Sequence, residues 1–593
     1  MKIIRYLPVI AIIAGLTLID SCKESFLEIT PNGSLDENVL ATYEGIDGLL
    51  IGAYSLLDGI HYVDETLTPE RWAGQTSNWV YGSIRSLEAN KGSDAGDQPH
   101  INAIQRYSED PENLYLGVKW RAVYEAIARC NQAIKTTNLA LTNGTITEDQ
   151  SLLLIRQARA LRGFYHFEAW RMWADRTTNT FVPYLDENTD WESVTNNEDI
   201  RDRIIEDLTA GTELPNNMEQ VGRFNKTVSQ VFLAKAYMQM YGDWTSALAE
   251  LNKVVATGTN PAGQDCDLAP TYGEIFNTVN RNGIESIYTV QYSVNDGSGG
   301  DNGGYDVCLN FPYKGGGSPS GCCGFFQPTQ DLVNSFRTDA NGLPYLDNNY
   351  NSEKVTNDQG LGIDDPFTEY TGRLDPRLDW TVGRRGIRFW DWGEVTGTDW
   401  VRDQTNGGPY IAKKQVFLKE QQGVYTEVGG WHQGWTANGY RMIRYADVLL
   451  LKAECEAMLN TDDRGMAEVN LIRNRAANSD GWVKEEDNVT NAANYVIGLY
   501  PASQFANTDD AMTAIKFERK LELGMEGHRF FDMQRWYTAA ELAKELTRIL
   551  NYEKTMEWGV SAYPGVSIGP EDANYPIPQR QIDLMKGNLV QNR

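Results

Sequence analysis

The segment SQVFLAKAYMQMYGDWTSALAELNKVV, residues 229–255, decides the fold class of this chain. Its apolar residues recur at steps of three and four on both sides of Gly242 and Asp243, which is the pattern of two amphipathic helices. The Gly-Asp pair favours a break between them. Small and aromatic residues, such as Ala236 and Tyr237, allow the helices to approach closely. The segment therefore predicts a pair of closely packed helices.

Other parts of the chain carry the same pattern. Residues 118–133 and 152–173 each show an apolar stripe at helical spacing and form a predicted hairpin. Residues 444–459 and 465–476, which are separated by a short polar turn, repeat the arrangement. These units resemble tetratricopeptide repeats, although strict self-similarity over about 34 residues is absent. We therefore expect a mostly α fold, a tetratricopeptide-like scaffold of helix pairs that stack like a solenoid.

The middle of the chain, residues 273–439, has a different character. Residues 284–292 read as a β-strand, and residues 297–324 are rich in Gly, Asn and Asp. Long ordered loops on a rigid scaffold commonly carry function. We predict a loop-rich, minor-β ligand-binding region at about residues 293–440. It belongs to the second of two predicted regions, which span residues 22–270 and 271–593.

The composition excludes several classes of function. The chain has 593 residues, 41% of them hydrophobic, which suffices for a large buried core. Its net charge of −28 argues against nucleic acid as a partner, since a phosphate-binding face needs a basic stripe. The five histidines are not paired at metal-ligand spacing, so we predict no metal and no cofactor. Structural calcium is compatible with the acidic loops but is not predicted.

The first residues predict export and a lipid anchor. Lys2 and Arg5 precede an apolar run, residues 7–19, that is too short to span a bilayer. Ser21 and Cys22 then resemble the lipobox of bacterial lipoproteins, where cleavage before the cysteine is followed by acylation. We therefore expect residues 1–21 to be a signal peptide and Cys22 to carry the lipid. Cleavage by the ordinary signal peptidase, without acylation, is the alternative.

The remaining cysteines fall into two groups. Cys130 and Cys455 lie in helical patterns, where they are expected as small buried side chains. The other four lie in the Gly-rich middle of an exported chain, where one disulfide is compatible with their surroundings but no pairing is predicted: Cys266, Cys308, Cys322 and Cys323.

Blocks of sequence spread over the whole chain resemble the RagB/SusD family of outer-membrane lipoproteins of Bacteroidetes. They occur in the family's order, which makes the combined resemblance specific although each block alone is weak. The blocks are Cys22 with FLE at 26–28, RQARALRGFYHFEAWRMW at 156–173, NKTVSQVFLAKAYMQMYGDW at 225–244, ESIYTVQYS at 285–293, LDPRLDWTV at 374–382, RYADVLLLKAEC at 444–455 with LIRNRA at 471–476, IKFERKLELGMEGHRFFDMQRW at 515–536 and YPIPQRQID at 575–583.

The charged residues of these blocks are interpreted as structural. In FERKLELGMEGHRFFDMQRW, residues 517–536, alternating Glu and Arg predict ion pairs that fix how the last helices dock, with Glu522 and Arg529 among them. An acid/base pair is the weaker interpretation, because neighbouring arginines stabilise ionised carboxylates. Asp447 is interpreted in the same way, as a partner of Arg441 or Arg444.

The resemblance implies a non-catalytic, cell-surface lipoprotein of the outer membrane. Such proteins bind oligosaccharide or polysaccharide and pass it to a SusC-like TonB-dependent transporter. Sugar binding requires aromatic rings that stack on the apolar faces of the sugar, beside a few polar groups that satisfy its hydroxyls. Two other functions remain open. The protein is alternatively a peptide- or protein-binding lid of such a transporter, and a glycoside hydrolase is the least favoured reading.

Context selects the candidate ligand-binding residues, although each tryptophan could instead pack in the core or contact the transporter. The first group lies among Gly, Ser and Asn in a region where family members place part of their site, but Ser-Leu-Glu stands here where they often have Ser-Asp-Asp. A second group has a spacing that predicts two indoles on one side of a strand. The candidates are Trp72, Trp79, Tyr81, Glu88 and Tyr107 in the first group, Arg388, Trp390 and Trp392 in the second, and Tyr313 and Trp431 in two further loops.

Overall fold

A computed structural model describes residues 37–60, 71–175, 177–178, 180–313, 315, 317–319, 321–429 and 432–593. The predicted signal peptide, the lipobox residue Cys22 and the candidate Trp431 lie outside these residues.

Long helices dominate the described chain. Those of eight or more residues are α1 Tyr43–Tyr54, α2 Leu114–Thr142, α3 Glu148–Trp173, α4 Arg201–Gly211, α5 Lys226–Ala236, α6 Trp244–Thr257, α7 Tyr445–Met458, α8 Met466–Ala476, α9 Thr508–Glu522, α10 Arg529–Trp536 and α11 Ala539–Glu553. Shorter α-helices are Glu37–Leu40, Pro99–Gln105, Tyr305–Leu309, Gln330–Ser335, Leu378–Thr381, Gln404–Gly407, Gly559–Ala562 and Gln579–Leu584.

The long helices stack in chain order. α1 packs on α2, α2 on α3, and the contacts continue through α6 to α7, which also packs on α8 and α9. This is the predicted solenoid-like scaffold, and the mostly α fold class is confirmed. The predicted strand at 284–292 is also present, as Ser286–Val290.

The helix pair predicted from residues 229–255 forms as α5 and α6. The Asn225 side chain begins α5 by accepting a hydrogen bond from the backbone N–H of Val228, and a π-helical turn, Tyr237–Tyr241, ends it. Gly242 then takes the left-handed conformation (φ 63°), and the Asp243 carboxylate caps α6 at the N–H of Ser246. The Gly-Asp pair therefore reverses the chain because each residue satisfies one helix end.

Strands are short, and in the described chain they pair only in twos. Antiparallel pairs are β1 Ala89–Gly92 with β3 Phe325–Pro328, β2 Ser286–Val290 with β8 Tyr440–Arg444, β4 Val382–Gly383 with β5 Ile411–Ala412, and β6 Thr426–Gly429 with β7 His432–Thr436. The β2–β8 pair joins the loop-rich region to the start of α7. None of the described helices is both long and apolar enough to cross a membrane.

Beside this pair, ten buried charged side chains form what we call the central ion network. Five are cationic and five anionic, so the network is electrically balanced. They are Arg377, Lys414, Arg444, Arg473 and Arg475, with Glu285, Asp375, Glu518, Glu522 and Glu526. Most of the ion pairs predicted from residues 517–536 are therefore present, and they fix α9 against α8, β8 and the chain after β5.

Two details differ from the sequence-based expectations. Asp447 pairs with Arg519, at 2.9 Å, and with Lys235, at 2.7 Å, so the predicted pairing with Arg441 or Arg444 is wrong. The reason is that Asp447 lies in the first turn of α7 and faces α5 and α9. Arg444 ends β8 and turns instead to the central ion network.

Among the described cysteines, two form a disulfide, three are small buried residues, and Cys266 is half-buried. Cys322 and Cys323 form a disulfide with each other, whereas Cys266 and Cys308 are unpaired. Cys130 and Cys455 are buried in α2 and α7, as expected from their helical patterns.

Candidate functional site

A groove of about 380 Å³ is walled by three half-buried indoles, and we call it the tryptophan groove. Trp380 comes from the short helix Leu378–Thr381, Trp390 from a tight turn after β4, and Trp482 from the chain just after α8. The other lining residues include Thr271, Gly273, Glu274, Asn277, Arg388, Asp391, Lys413, Leu418, Asp480, Lys484 and Asn488.

Trp380 and Trp390 form one wall of the groove. Their ring centroids lie 5.0 Å apart with the planes inclined by 56°. The Trp380 indole N–H donates to the carbonyl of Gly481 at 2.7 Å, and its ring lies against Gly273, where any larger side chain would collide with it. The position of this ring is therefore fixed before any ligand binds.

Trp482 forms another part of the groove wall. Its indole N–H donates to the carbonyl of Ala476, at the end of α8, over 2.9 Å. One side of the ring packs on Tyr495, with centroids 5.7 Å apart. The central ion network holds α8 through Arg473 and Arg475, so the helix end that positions Trp482 is rigid.

The turn that carries Trp390 is not the strand predicted from the sequence. Phe389 and Gly393 close a tight turn through a 2.8 Å backbone hydrogen bond, and Trp390 takes a left-handed backbone conformation (φ 53°). Such a conformation is rare for a bulky side chain and often occurs at functional sites. The two indoles therefore separate: Trp392 donates to the carbonyl of Phe417 and does not line the groove.

Hydrogen bonds from Arg388 and Lys413 hold this turn in place. The Arg388 guanidinium donates to the carbonyl of Trp390 at 3.0 Å and to the side chain of Asn488. The buried Lys413 ammonium donates to the carbonyls of Asp379 (2.6 Å) and Arg388 (2.8 Å) and lies 5.0 Å from the Trp380 ring. Burial lowers the pKa of Lys413 to about 7, against an opposing effect of Asp379.

The charged groups around the groove nearly balance. Arg388, Lys413 and Lys484 stand against Glu274, Asp391 and Asp480, and the Asp391 carboxylate already accepts hydrogen bonds from the backbone N–H groups of Lys419 and Glu420. Chemically, the arrangement offers flat apolar rings beside a mixture of donors and acceptors. It suits a polar ligand with little net charge.

The first group of candidates is buried, so the structure favours core packing, the alternative left open for these side chains, over contact with a glycan. Trp72, Trp79, Tyr81, Glu88 and Tyr107 are between 2% and 8% exposed. The physical reason is that the buried strand β1 pairs with β3, and the residues on both sides of β1 pack into the same hydrophobic core.

The buried candidates make structural contacts. Trp79 packs against Phe326, with ring centroids 5.6 Å apart, and the Tyr81 hydroxyl bonds to the carbonyls of Ala73 and Tyr115. Burial raises the pKa of Glu88, although Arg529 acts in the opposite direction. Tyr107 lies under the Arg85 guanidinium, 4.1 Å from its ring centre.

Tyr313 lies apart from the tryptophan groove. It is half-buried, and the Arg402 guanidinium lies 5.3 Å from its ring centre. Of the candidates that fall on described residues, only Arg388 and Trp390 line the groove.

Sequence reasoning missed Trp380 and Trp482. Trp380 lies within the family block LDPRLDWTV, and Trp482 follows α8 in the Gly-Trp pair 481–482. No spacing in the sequence relates either one to Trp390. Among the described residues, no group of three His, Cys, Asp or Glu side chains is placed to hold a metal ion.

Two family models match the chain. The model described as "SusD family" matches residues 284–593, more than half of the chain, and the one described as "Starch-binding associating with outer membrane" matches residues 25–238. Similar proteins include SusD-like protein P25 of Formosa agariphila, 21% identical over 97% of this chain and 96% of its own length. SusD-like protein P2 of the same organism is 23% identical over 74% of this chain and 76% of its own.

Solved structures share the fold. One is a SusD superfamily protein from Bacteroides vulgatus, with a TM-score of 0.62, 17% identity and coverage of 93% of this chain and 98% of the other. Another is surface glycan-binding protein A from Bacteroides thetaiotaomicron in complex with laminarihexaose, with a TM-score of 0.61, 20% identity and coverage of 93% and 99%. Because the SusD family model spans more than half of the chain, and the second model matches most of the remainder, the chain belongs to the SusD family.

Proposed function

We propose that the protein captures oligosaccharides at the cell surface in the tryptophan groove and passes them, uncleaved, to a SusC-like TonB-dependent transporter. The observation that carries the proposal is the convergence of Trp380, Trp390 and Trp482 on one groove. Surface glycan-binding proteins among the structural neighbours support it, one of them in complex with laminarihexaose.

The shape of the groove suits a short stretch of sugar chain. A volume of about 380 Å³ falls in the range of small-molecule sites, which runs from about 300 to 1,000 Å³. Half-buried indoles keep part of each ring open for the apolar face of a pyranose. Because hydrogen bonds to Gly481 and Ala476 already hold two of the rings, little conformational entropy is lost on binding.

The near balance of charge favours a neutral glycan. Arg388, Lys484 and Asn488 can donate to hydroxyl oxygens, and Glu274 and Asp480 can accept from hydroxyl hydrogens. We further propose that a lipid on Cys22 holds the protein at the outer membrane, facing outward. The family description "associating with outer membrane" supports this placement.

The test is calorimetry of the full chain, in a detergent without a sugar headgroup, with laminarihexaose, maltohexaose, cellohexaose and xylohexaose. We expect binding of at least one of these at micromolar or weaker affinity. Trp482→Ala should weaken that binding about tenfold or more, because one stacking ring contributes about 1–3 kcal/mol. Trp191→Ala is the matched control, since Trp191 is 67% exposed and lies outside the groove.

Three outcomes would contradict parts of the proposal. Equal affinity of Trp482→Ala and the unchanged protein would move the sugar to another site. New reducing ends during incubation would indicate a hydrolase. Co-purification with a SusC-like transporter, combined with no binding to any glycan tested, would favour the lid for peptides or proteins.

A further inference from the structure

We propose that the protein has a second ligand site, which takes a single sugar unit bearing a carboxylate or a sulfate. The site is a pocket of about 200 Å³ between α9, α10 and α11, and we call it the basic pocket. Its charged lining residues are Lys516, Lys520, Arg529, Glu545 and Arg548. It shares no lining residue with the tryptophan groove.

Four of these five charged side chains are cationic, but two of the cations are already neutralised. Lys520 pairs with the buried Asp331 at 2.6 Å, and Arg548 pairs with Glu545 at 2.8 Å. Within the described part of the chain, Lys516 and Arg529 form no ion pair and no hydrogen bond. They are the two charges left for a ligand.

The nearby carboxylates are bonded to other groups and form no direct ion pair with Lys516 or Arg529 within the described part of the chain. Glu454 is held by Arg535 through two hydrogen bonds of 2.7 and 2.8 Å, and Glu541 accepts the backbone and side chain of Thr538. Glu88, which acts electrostatically on Arg529, is buried and bonded to Ser83 at 2.6 Å. Two cations without a direct ion pair, in a chain of net charge −28, form a local attraction for an anion.

The pocket walls are aromatic, which identifies the rest of the ligand. Trp536 and Tyr537 stand beside Lys516, whose ammonium lies 5.5 and 4.7 Å from their ring centres. Tyr350 and Phe517 form another wall, with centroids 5.7 Å apart. A bare inorganic anion would make no use of these rings, whereas a pyranose has an apolar face that can pack on them.

The size of the pocket limits the ligand to one unit. About 200 Å³ is below the range of sites for drug-sized molecules, so a chain of several sugars does not fit. A carboxylate or sulfate on that unit can accept charge-assisted hydrogen bonds from Lys516 and Arg529. The two sites therefore differ in chemistry: neutral glycan in the tryptophan groove, an anionic unit in the basic pocket.

The experiment is saturation-transfer NMR with a titration of the full chain, in a detergent without a sugar headgroup. The probes are methyl glucuronide, glucose 6-sulfate, methyl glucoside and sodium sulfate. We expect both anionic sugars to bind, methyl glucoside to bind at least about tenfold more weakly, and sodium sulfate to compete only at much higher concentration.

The variants are Lys516→Gln and Arg529→Gln, each expected to weaken both anionic sugars about tenfold. Lys544→Gln is the matched control, because Lys544 is exposed on the neighbouring helix α11 and does not line the pocket. Unchanged binding of a neutral glycan in the tryptophan groove shows that each variant is folded. If none of the four neutral glycans binds the unchanged protein, the thermal unfolding temperature of each variant serves as the folding check instead, so the two proposals fail independently.

Several results would overturn the inference. Equal affinity for methyl glucoside would remove the role of the charge, and equal affinity for sodium sulfate would remove the role of the ring. If neither Lys516→Gln nor Arg529→Gln weakened the binding of the anionic sugars, these sugars would bind elsewhere. No binding of either anionic sugar would reject the site altogether.

Discussion

Replacement of Glu522 by glutamine should destabilise the protein far more than an ordinary loss of surface charge. Its carboxylate lies at the centre of the central ion network and accepts from Arg444 at 2.6 Å, from Arg377 at 3.0 Å, and from Arg475. All of these side chains are buried. Because the network holds five positive and five negative charges, the variant leaves one uncompensated positive charge in the interior.

The size of the effect follows from this geometry. A hydrogen bond to a charged group contributes about 1.5–3 kcal/mol, and glutamine keeps one acceptor oxygen for the three arginines while its amide hydrogens face them. Breaking a buried ion pair by removal of one partner costs about 3–5 kcal/mol. We expect Glu522→Gln to lower the free energy of unfolding by about that amount, a large part of a typical total of about 5–15 kcal/mol.

The assay is urea unfolding followed by circular dichroism, with the midpoint compared at constant slope. Glu206→Gln is the control, because Glu206 is exposed on α4 and the change should stay within about 0.5 kcal/mol. The double variant Glu522→Gln with Arg475→Met removes one charge of each sign. Its loss should be smaller than the sum of the two single losses by more than about 1 kcal/mol.

Low pH should weaken the same network. Burial opposes ionisation of Glu526, but Arg444 and Lys414 lower its pKa to about 2. The folded state then binds fewer protons than the unfolded state, so this stabilisation is complete above the ordinary pKa of about 4.3 and is lost as the pH falls toward 2. For the urea experiment, two results would refute the reasoning: additive losses of unfolding free energy in the double variant, or a loss in Glu522→Gln no larger than that in Glu206→Gln.

Two further substitutions test a buried lysine of the tryptophan groove and a tightly packed glycine in the core. Lys413→Met should reduce the increase in the free energy of unfolding between pH 7 and 10. In the unchanged protein the pKa of Lys413 is about 7, so the unfolded state binds more protons than the folded state over that range. Free energies of unfolding at several pH values across the range measure the effect. A slope equal to that of the unchanged protein would contradict this. Gly82→Ala should cost about 2–3 kcal/mol in urea unfolding, since the new Cβ would overlap the carbonyl of Gly527, whereas Gly48→Ala, with open space around it, should be neutral or stabilising. Equal stability of the two alanine variants would show that the core relaxes around Gly82.

The helical scaffold could be predicted because its signals are local. The spacing of apolar residues in 229–255, the Gly-Asp pair at its centre and the matching pattern in 444–476 each act within a few turns of helix, where the period of 3.6 residues fixes which side chains share a face. Family blocks in the same order pointed to the same architecture. The structure places helices at every one of these segments.

The candidate site could be predicted only in part, because the burial of a ring depends on distant residues. Trp79 and Trp390 both lie among Gly and polar residues, yet β1 pairs with β3, more than two hundred positions away, and buries Trp79. Trp390 stays half-open because its turn takes a left-handed backbone conformation that no spacing predicts. Arg529 belongs to a block that predicts ion pairs, but it begins α10 after a non-helical turn, residues 523–528, and takes no part in the central ion network.

The sequence by itself therefore determined the helices, the acidic character and the family of this protein, since each is set by residue types and by spacings of a few positions. Only the tertiary structure decided which aromatic rings meet solvent together. Trp380, Trp390 and Trp482 come from three separate segments, and their convergence requires the long-range hydrogen bond from Trp380 to Gly481 and the buried ion pairs that hold α8.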